Sequence, residues 1–166
     1  SGMSFFVSSS FSKSFSLYGE RVGALSIVTQ SKEESTRVLS QLKRVIRTNY
    51  SNPPTHGAAI VATVLNSPKL RQMWEDELAQ MRDRIKSMRH GLKEKLAAAG
   101  VSQDFSFIEA QRGMFSYSGL TSDQVAKLQE QDGIYALSTG RICVAALNTK
   151  NIDRVAQAIA RVLMSK

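Results

Sequence analysis

The chain has 166 residues and a formal net charge of +8, with 42% hydrophobic and 22% charged residues, a balance typical of one ordinary globular domain or two small ones. No apolar run approaches the roughly 20 residues that a membrane-spanning helix needs. No charged, apolar and then small-residue leader opens the chain, so we expect a soluble cytoplasmic protein. A single cysteine, Cys143, and two distant histidines, His56 and His90, argue against an intramolecular disulfide and against a metal site.

The first quarter of the chain predicts two strands on either side of a serine-rich segment. Residues 5–7 and 22–29 have the length and apolar character of short buried strands. The segment between them, at 8–16, alternates hydroxyl-bearing and other residues. This alternation suits an exposed strand, and the abundance of serine suits equally well a loop that lines a polar site.

Three helices are predicted next. Ser31 and Glu34 have the spacing of a capping box, so the first helix begins there and ends near Tyr50, before the Asn-Pro-Pro sequence at 52–54. A second helix is predicted at about 55–65.

The third helix has the clearest pattern, because its apolar residues step by three and four from Pro68, a good first-turn residue, to Gly100, a natural C-terminal cap. These apolar residues are Leu70, Trp74, Leu78, Met81, Ile85, Met88, Leu92 and Leu96. About 30 residues rising 1.5 Å each give a rod of roughly 45 Å. We therefore expect this helix to bridge two domains.

The remainder predicts a compact α+β unit, since short strands alternate with helices. In order, the predicted elements are strands at 105–108 and 113–117, a helix from the capping box of Thr121 and Gln124 to Gly133, a β-hairpin of 134–137 and 142–147, and a last helix capped by Asn148 or Thr149.

A basic run lies on the long helix and comprises Arg82, Arg84, Lys86, Arg89, Lys93 and Lys95. A surface that binds single-stranded nucleic acid requires aromatic residues between its basic residues, and this run has none. We interpret the run as a solvated helix face. A basic helical module that binds nucleic acid or another protein remains the alternative function.

Lys13 is the first residue that could carry chemistry. A lysine amine is a nucleophile only when neutral, and burial between Phe11 and Phe15 with the cation of Arg21 nearby favours the neutral form. The plainer interpretation is a solvated lysine in a serine-rich loop.

Two arginines are further candidates. Arg141 stands at the mouth of an apolar strand, where it could hold a carboxylate through two parallel hydrogen bonds, or point into water at a hairpin tip. Arg47 lies near the end of a helix, where pairing with the helix dipole is a sufficient explanation.

Four segments, in this order, resemble the aspartate and aromatic (tyrosine) aminotransferases, which are fold-type I pyridoxal-phosphate enzymes. They are SFSKSFSLYGERVG at 10–23, IRTNYSNPP at 46–54, GMFSYSGL at 113–120 and STGR at 138–141. The spacing fits that family without large gaps, and the resemblance covers residues 5–165. Residues 15–21 and 113–117 look more like the bacterial aromatic branch than the aspartate branch.

The resemblance implies a cofactor site. Lys13 would hold pyridoxal 5′-phosphate as a Schiff base, and its freed amine would move a proton between the substrate Cα and the cofactor C4′. Ser10 and Arg21 would bind the cofactor phosphate.

The resemblance also implies a substrate site for transamination between an aromatic or dicarboxylic amino acid and 2-oxoglutarate. Arg141 would clamp the α-carboxylate, and Arg47 would reach across a homodimer to the distal carboxylate. Phe115 would line the side-chain pocket.

The implied fold class is α/β, with residues 1–80 as the end of a large pyridoxal-phosphate domain and 81–166 as a small α+β domain. Family members are more than twice as long, and the residues that bind the cofactor ring are among those missing, so we expect this fragment to be inactive alone. The strands at 5–7 and 22–29 would then lack sheet partners. Unpaired apolar edges predict oligomers or disorder near the N-terminus.

Overall fold

The computed structural model describes residues 2–165. These residues form two compact units, and the division falls in the sequence between Leu78 and Ala79. Within the described part of the chain, no helix is both long enough and apolar enough to cross a membrane.

A β-hairpin opens the first unit. Strands β1 (Phe5–Ser10) and β2 (Gly23–Val28) pair antiparallel, with Phe5 opposite Val28 and Ser10 opposite Gly23. The expectation that these strands lack partners is wrong, because they pair with each other. Their predicted burial is also wrong within this chain, since Phe6 is 72% exposed and its strand neighbours are exposed as well.

Two helices follow the hairpin, α1 (Lys32–Asn49) and α2 (His56–Asn66). The predicted cap of α1 is present, because the Ser31 hydroxyl accepts a hydrogen bond from the Glu34 amide at 3.1 Å. No residue of α1 is buried. The apolar stripe of this helix is only partly covered, since Val38, Leu42 and Ile46 are half-buried while Leu39 and Val45 are exposed.

The long helix α3 spans Pro68–Ala98 and contains 31 residues, as its unbroken period predicts. Gly100, with φ +86°, ends it. The Gly100 amide donates to the Ala97 carbonyl at 3.0 Å, and the Val101 amide donates to the Leu96 carbonyl at 3.2 Å. This pair of bonds is the Schellman motif, which satisfies the last carbonyls of a helix.

The second unit contains a two-stranded antiparallel sheet among helices, so the predicted α+β architecture is present. Its elements after α3 are α4 (Ser106–Ala110), β3 (Phe115–Tyr117), α5 (Ser122–Asp132), β4 (Arg141–Cys143), a 3-10 turn at Val144–Ala146 and α6 (Ile152–Met164). The predicted capping box of α5 forms in both directions, and Gly133 ends that helix with φ 61°. Buried apolar side chains from α3, α5 and α6, including Leu92, Leu128 and Ile159, form one core.

Four local predictions in this unit are wrong in whole or in part. Residues 105–108 form no strand, because Phe105 caps α4 and 106–108 belong to that helix. The Asp104 carboxylate accepts a hydrogen bond from the Ser106 amide at 2.8 Å, which favours the start of a helix there. Residues 134–137 form no strand, and β4 pairs with β3 instead. The strand predicted at 142–147 ends at Cys143, and the 3-10 turn at Val144–Ala146 follows it. The last helix begins at Ile152, because Asn148 accepts from the Lys150 and Asn151 amides in a turn that precedes it.

Candidate functional site

The loop that joins β1 to β2 brings three predicted site residues to one end of the hairpin. Ser10 ends β1, and Lys13 and Arg21 lie within the loop at 11–22. At the neck of this loop, a Cβ on Gly23 would lie 2.7 Å from the Ser9 carbonyl oxygen, so the close approach of the two strands requires glycine there. The local sequence therefore places an amine, a hydroxyl and a guanidinium together.

The Lys13 side chain is exposed, and its Nζ lies 4.3 Å from the centroid of the Tyr18 ring. Phe11 and Phe15 do not bury it, which corrects the prediction from their alternation. Their rings meet edge to face, with centroids 5.5 Å apart, and the Phe15 ring stacks on Trp74 at 4.5 Å. The amine is thus open to a ligand.

Trp74 anchors the Lys13 loop from α3. Its Nε1 donates a hydrogen bond to the Ser14 carbonyl at 2.6 Å, next to Lys13 in the chain. Together with the ring stack on Phe15, this bond fixes the backbone on the C-terminal side of Lys13. Sequence analysis assigned Trp74 only to the apolar stripe of α3, and the sequence contains no local signal for its contact with a loop 60 residues away.

Strained backbone occurs in the Lys13 loop and next to the helix that carries Arg47. Three non-glycine residues among 2–165 have positive φ: Ser16 at 55°, Arg21 at 50° and Ser51 at 71°. Two lie in the Lys13 loop, and the third lies just after Arg47. Left-handed backbone is unfavourable for such residues and concentrates where a site fixes the geometry.

The donors of the Lys13 loop fit a phosphorylated aldehyde. The Ser10 hydroxyl donates to the Ser12 hydroxyl at 3.2 Å, and an Arg21 Nη donates to the Tyr18 carbonyl at 3.4 Å. Both side chains are exposed, and the Arg21 guanidinium, which has five N–H groups, keeps further donors for an anion, whereas the single O–H of Ser10 reaches an anion only by turning away from Ser12. An amine for the carbonyl carbon lies in the same loop, so pyridoxal phosphate matches this donor set chemically.

Arg47 lies in the last turn of α1 with an exposed side chain, as the helix-dipole interpretation also requires. Its Nη1 donates to the Ser51 hydroxyl at 2.6 Å. This bond ties the guanidinium to the start of the Asn-Pro-Pro loop. One nitrogen is occupied by this contact, and the other donors remain.

Arg141 and Phe115 face each other across the small sheet of the second unit. Arg141 begins β4 opposite Tyr117 of β3, and its guanidinium carbon lies 4.9 Å from the centroid of the Phe115 ring. The arginine is therefore held in a sheet rather than at a hairpin tip. No hydrogen bond or ion pair of its guanidinium is found within residues 2–165, so the donors are available to a carboxylate.

Gly140 makes the position of Arg141 possible. It has φ +80°, and a Cβ there would lie 2.6 Å from the Leu120 carbonyl oxygen. The buried Ser118 hydroxyl donates to the Gly140 carbonyl at 2.6 Å. The glycine of the Ser-Thr-Gly-Arg segment thus allows the chain to cross another backbone just before the guanidinium.

Most of the basic run on α3 is bound within the protein. Five of its six members engage partners: Arg82 with Asp83, Arg84 with two carbonyls, Arg89 with four acceptors, Lys93 with Glu109 and Lys95 with Asp153. The interpretation as a solvated face is wrong for Arg89, which is buried. These contacts occupy most of the charges that a nucleic-acid interface on α3 would use.

Comparison with known proteins identifies the family. Residues 1–159 match the family described as aminotransferase class I and II. The chain belongs to this family. The resemblance found in its four segments is confirmed.

Relatives within the aminotransferase family include both aspartate aminotransferases and aromatic-amino-acid aminotransferases. The chain is 71% identical to an aspartate aminotransferase of Pseudomonas aeruginosa over 163 residues, and 49% identical to an aromatic-amino-acid aminotransferase of Escherichia coli over 162 residues. Each match covers 98% of this chain and 41% of the relative. The chain therefore spans about two-fifths of the length of these relatives.

Solved aminotransferase structures share the fold. An aromatic-amino-acid aminotransferase of Burkholderia pseudomallei, whose structure was solved with covalently bound pyridoxal phosphate, superposes with a TM-score of 0.94 at 75% identity. The superposition covers 98% of this chain and 41% of that one. The predicted fold class, part of a fold-type I aminotransferase, is confirmed.

Proposed function

We propose that the protein carrying this chain is a cytoplasmic amino-acid aminotransferase that acts as a homodimer. It transfers an amino group between an aromatic or dicarboxylic amino acid and 2-oxoglutarate, with pyridoxal 5′-phosphate bound to Lys13. The observation that carries the proposal is the exposed Lys13 amine in a strained loop with Ser10 and Arg21, in a chain 75% identical to a protein solved with the cofactor covalently bound.

Ser10 and Arg21 bind the cofactor phosphate in this proposal. A serine hydroxyl and a guanidinium are complementary to phosphate oxygens, and the arginine also neutralises the negative charge. When bound, the cofactor supplies an electron sink for the bond that breaks at the substrate Cα. Lys13 holds the cofactor. Once its amine is free, it would accept the proton from the substrate Cα and donate a proton to the cofactor C4′.

Arg141 and Phe115 hold the amino-acid end of the substrate in this proposal. The Arg141 guanidinium donates two parallel hydrogen bonds to the α-carboxylate, and the Phe115 ring borders the side-chain pocket. Arg47 takes the distal carboxylate of a dicarboxylic substrate in the partner subunit. Two such forks fix both the position and the tilt of a dicarboxylate, which aligns the reacting bond.

Reduction with borohydride tests the cofactor lysine directly. The intact protein is mixed with pyridoxal phosphate, reduced and digested, and its peptides are identified by mass spectrometry. Reduction turns an imine into a stable secondary amine, so we expect the added mass on the peptide that contains Lys13.

Lys43 provides the matched control, since it is an exposed lysine on α1 outside the loop. Labelling of Lys43 and other surface lysines to the same extent as Lys13 would indicate non-specific imine formation. That result, or a label absent from the Lys13 peptide, contradicts the proposal.

A further inference from the structure

Arg89 is a buried cation of the second unit that donates to four acceptors. Its side chain lies on α3, and the residue is 3% exposed. One Nη donates to the Ile108 carbonyl at 2.8 Å and to the Ser116 hydroxyl. The other donates to the carbonyls of Gly113 at 2.8 Å and Phe115 at 3.0 Å.

These four acceptors include no carboxylate, and no ion pair of Arg89 is found in the described part of the chain. Burial lowers the pKa of the Arg89 guanidinium, and the nearby positive charge of Arg112 lowers it further. Burying a cation without a counter-ion is unfavourable, and an apolar side chain of similar size often packs as well. The arginine therefore has a local task that an apolar residue cannot perform.

The acceptors show what that task is. Three of them belong to 113–116, the segment that carries Phe115, and the fourth is the Ile108 carbonyl within α4. Strand β3 has only three residues and pairs with a three-residue partner, β4. Such a short ladder fixes its backbone weakly, and the planar guanidinium supplies rigid bonds from a long helix.

The backbone held by Arg89 supports the Arg141 guanidinium. The Phe115 ring lies 4.9 Å from the Arg141 guanidinium carbon, and β3 pairs with the strand that Arg141 begins. A shift of β3 moves both the ring and the pairing partner of Arg141. Small displacements of a positioning group weaken ligand binding strongly.

We propose that Arg89 is a positioning residue for the carboxylate site of Arg141, acting through the backbone of Phe115 and Ser116. This inference rests on the proposed function, in which Arg141 binds a substrate carboxylate. Arg89 itself is buried and touches neither substrate nor cofactor.

The test compares Arg89→Lys with Arg84→Lys in the intact protein. Arg84 is the matched control, because it lies on the same helix and also donates to carbonyls, those of Leu147 and Ala145 at 2.8 Å. A lysine keeps the charge but cannot span the same acceptors with a planar fork. Binding of 2-oxoglutarate and of pyridoxal phosphate is measured by calorimetry, and the melting temperature is measured beside them.

We expect Arg89→Lys to raise the Kd for 2-oxoglutarate by about tenfold while the Kd for pyridoxal phosphate stays within about twofold, and Arg84→Lys to leave both within about twofold. Hydrogen exchange at 113–118 should accelerate in Arg89→Lys. If Arg89→Lys fails to fold, Ser116→Ala, which removes only the hydroxyl acceptor, decides the question with an expected rise of about threefold.

Two results overturn the inference while the proposed function stands. In the first, the parent protein binds both probes and the variant binds 2-oxoglutarate as tightly, even with faster exchange at 113–118, so that Arg89 is structural only. In the second, both Kd values and the melting temperature worsen together, which indicates general loss of folding. A parent protein that binds neither probe contradicts the proposed function itself.

Discussion

Two exposed cations among the predicted site residues, one in each unit, contact aromatic rings. Lys13 contacts the ring of Tyr18 and Arg141 contacts the ring of Phe115, while neither forms an ion pair with a carboxylate within residues 2–165. A ring contact at an exposed position stabilises by about 0.5–1 kcal/mol and leaves the charge in place. A carboxylate would compete with an anionic ligand, so aromatic partners suit cations that must receive one.

The planar guanidinium of Arg141 is the group to change in a test of substrate binding. Arg141→Lys keeps the charge but loses the planar pair of donors, so we expect the Kd for 2-oxoglutarate to rise by about 10- to 100-fold. Arg82→Lys is the control, because Arg82 is an exposed arginine that pairs with Asp83. An unchanged Kd in Arg141→Lys, measured by calorimetry, contradicts the role assigned to this arginine.

At the scale of elements, Trp74 of α3 supports the Lys13 loop through a hydrogen bond and a ring stack. Two substitutions of Trp74 measure these two contributions separately. Trp74→Phe retains an aromatic ring for Phe15 and removes the donor to the Ser14 carbonyl, whereas Trp74→Leu removes both contacts. We expect amide hydrogen exchange across 11–18 to accelerate moderately in the first variant and more in the second. Equal exchange in all three proteins would show that Trp74 does not hold the loop.

The junction of α3 and α4 predicts a dependence of stability on pH. Hydrogen bonds from His90 at 2.7 Å and then from Lys93 at 2.9 Å hold the pKa of the Glu109 carboxyl below its ordinary value of 4.5. A lowered folded-state pKa adds stability above the ordinary value, and that stability is lost as the pH falls through the folded-state pKa.

Glu109→Gln should therefore reduce the drop in melting temperature between about pH 5 and about pH 3, because this stability is complete above the ordinary pKa of 4.5 and is lost below it. Glu130→Gln is the control, since Glu130 is an exposed carboxylate on α5 for which the described residues provide no ion pair. The same pH profile in the Glu109 variant and in the parent would mean that these contacts do not stabilise the folded state.

Long periodic helices could be predicted from the sequence with their ends, whereas the pairing of the short strands β3 and β4 could not. The period of α3 repeats through eight apolar residues, and its Gly100 cap is a local signal, so both ends are close to the prediction. Strands β3 and β4 have three residues each and carry no measurable period. Their pairing depends on contacts distant in the sequence, which is why β4 was assigned to the wrong partner.

The candidate site was predicted through its motifs rather than through its surroundings. Six side chains are named from the sequence, and the structure places three of them at one end of the β1–β2 hairpin and two across one sheet. The positions of Trp74 and Arg89 went unrecognised, although Arg89 occupies a stripe position, four residues after Ile85 and three before Leu92. A charged residue at a position of the apolar stripe was the sequence signal that Arg89 is buried.

At the scale of the whole chain, the first unit exposes apolar surface on elements that the sequence builds to be covered. Phe5, Phe6 and Leu25 of the hairpin and Leu39 and Val45 of α1 are all exposed. We propose that the rest of an aminotransferase polypeptide covers them, since relatives are more than twice as long. The assignment of the two units to a large and a small domain remains part of this proposal.

Residues 1–166 expressed alone should therefore self-associate. Sedimentation velocity should show species larger than a monomer, and Phe6→Lys should shift them toward the monomer because it puts a charge on an open strand. Tyr135→Lys is the control, since Tyr135 is 78% exposed but lies outside the hairpin. A monodisperse monomer in which the segment at 8–16 is protected from hydrogen exchange would contradict this prediction.

The central claim is that the Lys13 amine performs the chemistry, and the most direct measurement is the turnover of Lys13→Ala in the intact protein. The account predicts that kcat for transamination falls by at least about 10²- to 10⁴-fold, because the variant has no group to move the proton, while melting shows an intact fold. Full turnover in Lys13→Ala would contradict the account.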